Sequence, residues 1–429
     1  MKACSECARL YPDDAGFCPI DGRELVSATQ APVAAADGDA RVGQMMCGRY
    51  QVRRVVADGG MGRVYEALDM VDRRNVAMKV LHPDVATDSI SLERFKREFE
   101  VSKLLPHSHI VEVSDFQPTH DGSYALVMEF LYGEELRATL KREQVLPPER
   151  VIRMVSQIAL ALDEAHARKL VHRDLKPDNV FLCQTREGDN VKILDFGSVK
   201  DKSDPAKKLT VMGTTIGSPY YMAPEQAQGL ETLDHRADVW ALAAISYECL
   251  VGTVPFKGNN GPSILLEILT KEPTPPSVAA QGKPHPMPPS LDRVMVHAFK
   301  KNASMRIASV GAFADALGQA FGLAGSHRDW ATVPQDQLGQ IVQAALPQMM
   351  QSAGIAAPDA ADNFFGESEA FGQAPAAGPG SSPMPYAQYP DDLVPMGVPK
   401  SGNFGLILAF AVGGIALVLG VVIVVVLFR

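Results

Sequence analysis

"LVHRDLKPDNVFL", Leu170 to Leu182, decides how the rest of this sequence is read. An apolar, strand-like run leads into Asp174, and Asn179 follows five residues later. Pro177 stands between them and keeps the segment from becoming a helix, so both side chains belong to a loop. A second run, "VKILDFGSVK", Val191 to Lys200, also leads into an acid, Asp195, ahead of Phe196 and Gly197. Two carboxylates and an amide oxygen converging in a cleft form a hard-oxygen site. Such a set suits Mg²⁺, which prefers carboxylates, water and substrate phosphates.

Upstream, "VVADGGMGRVYEA", Val55 to Ala67, packs Gly59, Gly60 and Gly62 between two β-branched runs. Glycines let backbone N–H groups approach an anion without hindrance from Cβ. By itself such a hairpin can be no more than a turn. The next strand, "NVAMKVL", puts Lys79 on one face with Ala77 and Leu81. A lone lysine there could simply snorkel. The following helical pattern, "SLERFKREFEVSKLL", aligns Glu98 with Phe95, Val101 and Leu105. A carboxylate in an apolar stripe needs a cation, and Lys79 can supply it. A Lys–Glu pair beside a glycine loop is an arrangement that positions phosphates.

The chain resembles a known family on these residues. "GGMGRVYEA", "VAMK", "HRDLKPDN", "DFG" and "YMAPEQ" occur in the order and spacing of eukaryotic-like (Hanks-type) protein kinases, in the manner of the bacterial membrane serine/threonine kinases. The resemblance runs from about Tyr50 to Phe321. It implies an α+β, bilobal kinase fold, which agrees with strand-like runs first and long helical patterns after. It implies ATP-dependent phosphoryl transfer to Ser/Thr hydroxyls of proteins, with Mg²⁺, or Mn²⁺ in its place.

The resemblance also assigns roles by position. Val56, Ala57, Asp58, Gly59, Gly60, Met61, Gly62 and Val64 would line the ATP phosphates, and Ala77 the adenine side. Lys79 would contact the α- and β-phosphates and pair with Glu98. Met128 would be the gatekeeper, with Glu129 to Leu131 holding the adenine through backbone groups. Asp174 would be the catalytic base, Lys176 would neutralise the transferring phosphoryl group, and Asn179 and Asp195 would hold Mg²⁺. Glu225 would pair with Arg306, and Asp238 would hold the catalytic loop's backbone. Arg173 would meet a phosphate on the activation segment, at Thr210, Thr214 or Thr215. Ser218 and Lys176 favour Ser/Thr over Tyr substrates. The sequence departs from the family at Ala57, where the first loop glycine usually stands, and at Ser218, where threonine is usual. A pseudokinase scaffold, binding partners through the ribbon-like residues 1–25 and the tether 352–403, is the competing reading; the presence of Lys79, Asp174, Asn179 and Asp195 speaks against it.

Outside the kinase-like region, 48–321, the texture changes. Residues 1–25 contain "CSECARLYPDDAGFCPIDG", in which Cys4, Cys7, Cys18 and Asp21 stand at zinc-ribbon spacing with an aspartate in the fourth place. So short a module cannot bury a useful core without a staple, which argues for Zn²⁺; a metal-free ribbon is the alternative. Residues 26–47 read as a linker, 322–351 as an amphipathic segment, and 352–403, rich in Ala, Pro, Gly and Ser, as a tether. In the amphipathic segment, Leu338, Ile341, Val342, Ala345 and Leu346 share a face and Pro347 closes it. Residues 404–428 carry no charge and are long enough to cross a bilayer as a helix. The expectation is a tail-anchored protein of the bacterial cytoplasmic membrane, with the kinase in the cytosol. Ala409, Gly413, Ala416 and Gly420 fall on one helical face, which suits either a homodimer seam or ordinary lipid contact. A net charge of -9 gives no bulk attraction to nucleic acid, and the scattered cysteines suit a reducing compartment.

Overall fold

The computed structural model describes residues 39–196, 219–230 and 233–351, together with three two-residue strands nearer the N-terminus. Those strands, β1 (Lys2–Ala3), β2 (Leu10–Tyr11) and β3 (Val26–Ser27), form a small antiparallel sheet in the order β2-β1-β3. Cys4, Cys7, Cys18 and Asp21 lie outside the described residues, as do Thr210, Thr214, Thr215 and Ser218 and the whole of 352–429.

The N-terminal lobe is a six-stranded antiparallel sheet. Its strands are β4 (Met45–Met46), β5 (Tyr50–Asp58), β6 (Gly62–Asp69), β7 (Asn75–Leu81), β8 (Val113–Pro118) and β9 (Tyr124–Glu129), in the order β4-β5-β6-β7-β9-β8. Alternation along β7 puts Val76, Met78 and Val80 into one apolar cluster with Tyr50, Val52, Tyr65, Ala67, Ala125 and Val127. Leu81 and Leu126 face the other side, against Phe95 and Val113. Phe95 belongs to α2 (Ser89–Leu104), which follows the short α1 (Pro83–Ala86) and is capped by Asp88 accepting from the Ser91 N–H at 3.0 Å.

Within the stretch 26–47, expected as a linker, Val26–Ser27 form β3 and the described residues from Asp39 onward join the N-terminal lobe. Met46 is fully buried in the sheet's core, and β4 pairs with β5. Asp39 accepts from Tyr65 Oη at 2.7 Å and from Arg63 at 2.5 Å. The Ala, Asp and Gly content of this stretch suggested a solvated chain. Its bonds are to residues far along the sequence, which composition cannot register.

The C-terminal lobe begins with β10 (Gly133–Glu135), α3 (Leu136–Glu143) and α4 (Pro148–Ala167). The hairpin β11 (Val180–Thr185) and β12 (Gly188–Ile193) completes a three-stranded sheet with β10. Then come α5 (Pro224–Ala227), α6 (Arg236–Val251), α7 (Gly261–Thr270), α8 (Pro276–Ala279), α9 (Pro289–Ala298) and α10 (Val310–Ala320). Helix α6 is buried almost all round, so it is the lobe's central helix. Its Trp240 stacks on Phe256 with ring centroids 5.3 Å apart and meets Phe299 edge-on at 5.1 Å.

Beyond Phe321 the chain adds α11 (His327–Trp330) and α12 (Gln335–Gln351), both packed on α4. Arg153 Nε donates to the Val333 carbonyl at 2.9 Å, and Gln157 to that of Ala331 at 3.1 Å. Leu338 and Val342 are buried as the amphipathic pattern required, but Ile341 is 48% exposed. The helix also runs through Pro347 rather than closing there. Pro347 is exposed, so water can serve the carbonyl that its missing N–H leaves unpaired. Trp330 is seated over Gly318, where a Cβ would stand 2.1 Å from the indole ring. Among the described residues no helix is long and apolar enough to cross a membrane; the stretch 404–428 lies outside them. Trp330→Ala is expected to cost about 3–5 kcal/mol in urea unfolding, the usual loss for a buried tryptophan; an unchanged midpoint would show that the extension does not stabilise the lobe.

Candidate active site

Lys79 and Glu98 meet as their patterns required. Strand β7 points Lys79 away from the Val76, Met78 and Val80 cluster, and α2 points Glu98 toward it, with Lys79 Nζ 3.1 Å from Glu98 Oε2. Lys79 also lies 5.6 Å from the centre of the Phe95 ring. Burial works against both charges. For Lys79, the carboxylates of Glu98 and Asp195 more than offset it and hold the ammonium above the ordinary lysine range. For Glu98, burial prevails: the carboxyl is raised, with Lys79 opposing and Asp195 adding to the rise.

Asp238, fully buried on α6, holds the loop that carries Asp174. It accepts the backbone N–H of His172 at 2.9 Å and of Arg173 at 2.8 Å, and lies 2.8 Å from His166 Nε2. Burial penalises its charge, but these partners hold the carboxyl below its ordinary range. Arg173 and Asp195 both take a left-handed backbone, φ +67° and +56°, which non-glycine residues adopt at a cost of about 1–3 kcal/mol.

The loop's side chains then converge. Lys176 Nζ is 2.7 Å from Asp174 Oδ2. Asn179 Nδ2 donates to the Asp174 carbonyl at 2.8 Å, which leaves its amide oxygen as the group able to meet a cation. Pro177 to Asn179 form one 3₁₀ turn rather than plain loop. The Leu194 N–H donates to the Asn179 carbonyl at 2.8 Å, so the segment bearing Asp195 is tied to the segment bearing Asn179. Phe196 is buried edge-on against His172, with centroids 4.8 Å apart, and fixes Asp195 from the other side. The donor set of Asn179, Asp195 and a phosphate-bound substrate suits Mg²⁺.

The glycine loop joins β5 and β6. Ala57 lies within β5, pairs with Val64 and does not have positive φ, so its methyl is accommodated without strain. Only Gly62 is demanded by the fold, since a Cβ there would stand 2.3 Å from the Val80 carbonyl oxygen. A Cβ on Gly59 would meet only the Gly62 oxygen at 3.8 Å, and one on Gly60 would meet nothing within 4 Å. Val56 and Asp58 are exposed, while Met61 and Val64 are half-buried. Across the sheet Ala77 faces Met128, and Val76 faces Glu129. The Glu129 carboxylate accepts from Lys192 at 2.6 Å, and its N–H donates to Glu112. Leu131 follows in the segment leading to the C-terminal lobe.

Two struts complete the frame. Arg306 grips Glu225 through both carboxylate oxygens, at 2.8 and 2.9 Å. Gln226 Nε2 donates to the Arg173 carbonyl at 2.7 Å. Gln226 and His166 were not singled out from the sequence. Gln226 sits inside the "APEQ" motif and could have been suspected; nothing in local spacing links His166 to Asp238. Arg173 Nε is buried without a hydrogen-bond partner among the described residues, and burial, with Arg97 adding to it against Asp238, holds the guanidinium below its ordinary range.

The family model for the protein kinase domain matches residues 50–317. The chain belongs to the protein kinase family. Its kinase domain is 37% identical over 281 residues to the serine/threonine-protein kinase pkn3 of Myxococcus xanthus, covering 65% of this chain and 51% of that protein. It is 38% identical over 281 residues to PknA of Mycobacterium tuberculosis, covering 65% and 62%. The match therefore spans about half to three-fifths of these relatives' length. The crystal structure of a double mutant of the M. tuberculosis PknI kinase domain is similar with a TM-score of 0.51 and 30% identity, over 65% of this chain and 97% of that one. The kinase domain's loop makes a direct test of its glycines. Gly62→Ala is expected to lower the melting temperature, whereas Gly60→Ala leaves it unchanged and changes only the Michaelis constant for ATP; Ala57→Gly, at a paired strand position, costs about 0.5–1 kcal/mol of stability, and equal melting temperatures for Gly62→Ala and Gly60→Ala would refute the steric account.

Proposed function

We propose that the chain is an ATP-dependent protein serine/threonine kinase. The convergence of Asp174, Asn179 and Asp195 in two tethered segments, with the Lys79–Glu98 pair across from them, carries this reading. Lys79 binds the α- and β-phosphates, and Glu98 holds its ammonium in place. Asp174 accepts the proton of the substrate hydroxyl as that oxygen bonds to the γ-phosphorus and the bond to the departing ADP oxygen breaks. Lys176, already beside Asp174, neutralises the transferring phosphoryl group. Asn179 and Asp195 hold Mg²⁺, or Mn²⁺, which when bound neutralises phosphate charge. Phosphoryl transfer needs positioning and charge neutralisation more than covalent chemistry, and these residues supply both. Glu129 to Leu131 hold the adenine below Met128.

Autophosphorylation at Thr210 or Thr214, with Thr215 as the neighbouring candidate, would give a phosphate to Arg173, whose buried Nε has no hydrogen-bond partner among the described residues. Incubation with Mg²⁺ and labelled ATP tests the enzyme. The wild type is expected to label itself on the activation segment and Asp174→Asn to lose more than about 99% of that labelling, as removal of a catalytic base does; equal labelling would sink the enzyme reading.

The terminal segments extend the proposal. Residues 404–428 anchor the protein in the bacterial cytoplasmic membrane with the kinase in the cytosol, where a homodimer can form through the small-residue face. The support is an uncharged run of spanning length. Cys4, Cys7, Cys18 and Asp21 bind Zn²⁺, supported by their sequence spacing in a segment too short to bury a core. Purified full-length protein is expected to carry about one equivalent of zinc and to resist alkaline extraction from membranes. Zinc below a tenth of an equivalent overturns the first; release by alkali overturns the second.

A further inference from the structure

One side chain outside the kinase motifs holds the glycine loop. His82 follows β7 directly, and its Nε2 lies 2.9 Å from the Gly59 carbonyl oxygen and 3.1 Å from Asp58 Oδ1. Both partners are acceptors, so Nε2 carries the proton and shares it between them. The backbone N–H of His82 donates to the Met61 carbonyl at 3.1 Å. Asp58, Gly59 and Met61 are thus all bonded to one residue. The Gly59 N–H closes the turn on the Gly62 carbonyl at 3.1 Å.

Two consequences follow from elementary geometry and charge. A trans peptide points its C=O and N–H to opposite sides, so a Gly59 carbonyl fixed on His82 turns the Gly60 N–H the other way. A Cβ built on Gly60 would meet nothing within 4 Å, so the loop tip offers room for a ligand beside that peptide. Asp58 is the second consequence. A carboxylate in a phosphate loop repels its ligand unless it is held and neutralised. Arg63 Nε donates to Asp58 Oδ2 at 2.9 Å while His82 takes Oδ1. Arg63 is anchored in turn to Asp39, ahead of the family's matched region.

We propose that His82 is a positioning residue for nucleotide phosphates: it holds the loop with the Gly60 N–H turned toward the anion and the Asp58 carboxylate turned from it. The proposal rests on the ATP reading above. Calorimetric titration of the full-length protein with ATP and, separately, with adenosine tests it. His82→Leu is expected to weaken ATP by about fivefold, the value of one hydrogen bond, and to leave adenosine binding unchanged. His82→Gln, whose amide can donate to both acceptors, is expected to keep wild-type affinity for ATP. A merely structural role would weaken both ligands together. Equal losses for ATP and adenosine, no loss for either, or no rescue by glutamine overturns the proposal. If His82→Leu does not fold, His82→Ala is read by the same criteria. A wild type that binds neither ligand sinks the ATP reading and this proposal with it; a wild type that binds ATP while the variants behave alike sinks this proposal alone.

Discussion

A single buried carboxylate, Asp238, organises the catalytic side of this kinase domain. It sits on the lobe's central helix, out of reach of water, and needs donors there. The donors it finds are the backbone N–H groups of His172 and Arg173 and the ring of His166. These bonds offset the left-handed backbone of Arg173 and set the height at which Asp174 leaves the loop. Everything downstream inherits that placement: Lys176 and Asn179 through Asp174, and Asp195 through the bond from Leu194 to Asn179.

The N-terminal lobe follows the same logic with an ion pair in place of backbone donors. There the buried group is Glu98, and its partner Lys79 arrives from a neighbouring strand. The pair does more than satisfy burial. It ties α2 to the sheet, and Asp195 lies near enough to act on the charge of both partners.

The C-terminal lobe reaches further than the motif pattern did. Trp330 fills the space that Gly318 leaves open, and Arg153 and Gln157 reach from α4 to carbonyls of the extension. The same α4 residues also hold β12, since Gln157 Oε1 accepts the Val191 N–H at 2.7 Å. The extension and the strand leading to Asp195 therefore share supports. At the other end, Asp39 and Met46 make the chain before the family's matched region part of the sheet.

Much of this was legible in the amino-acid order. The alternation in "NVAMKVL" and the helical spacing of Glu98 place the Lys–Glu pair, because side-chain direction follows a local period. Pro177 and the acids at the ends of apolar runs place the loops, because proline acts on its own neighbourhood. The rest depended on partners far apart in sequence. No period joins His166 to Asp238, Asp39 to Arg63, or Gly318 to Trp330. Nor does any motif say that His82 would meet the Gly59 carbonyl, since that contact needs the register of β6 on β7. The sequence by itself determined which residues could carry charge and which faces must be buried, since those are local properties. The tertiary structure decided which buried charges meet and which glycine of the phosphate loop has no room for a side chain, because those depend on where distant backbone comes to rest.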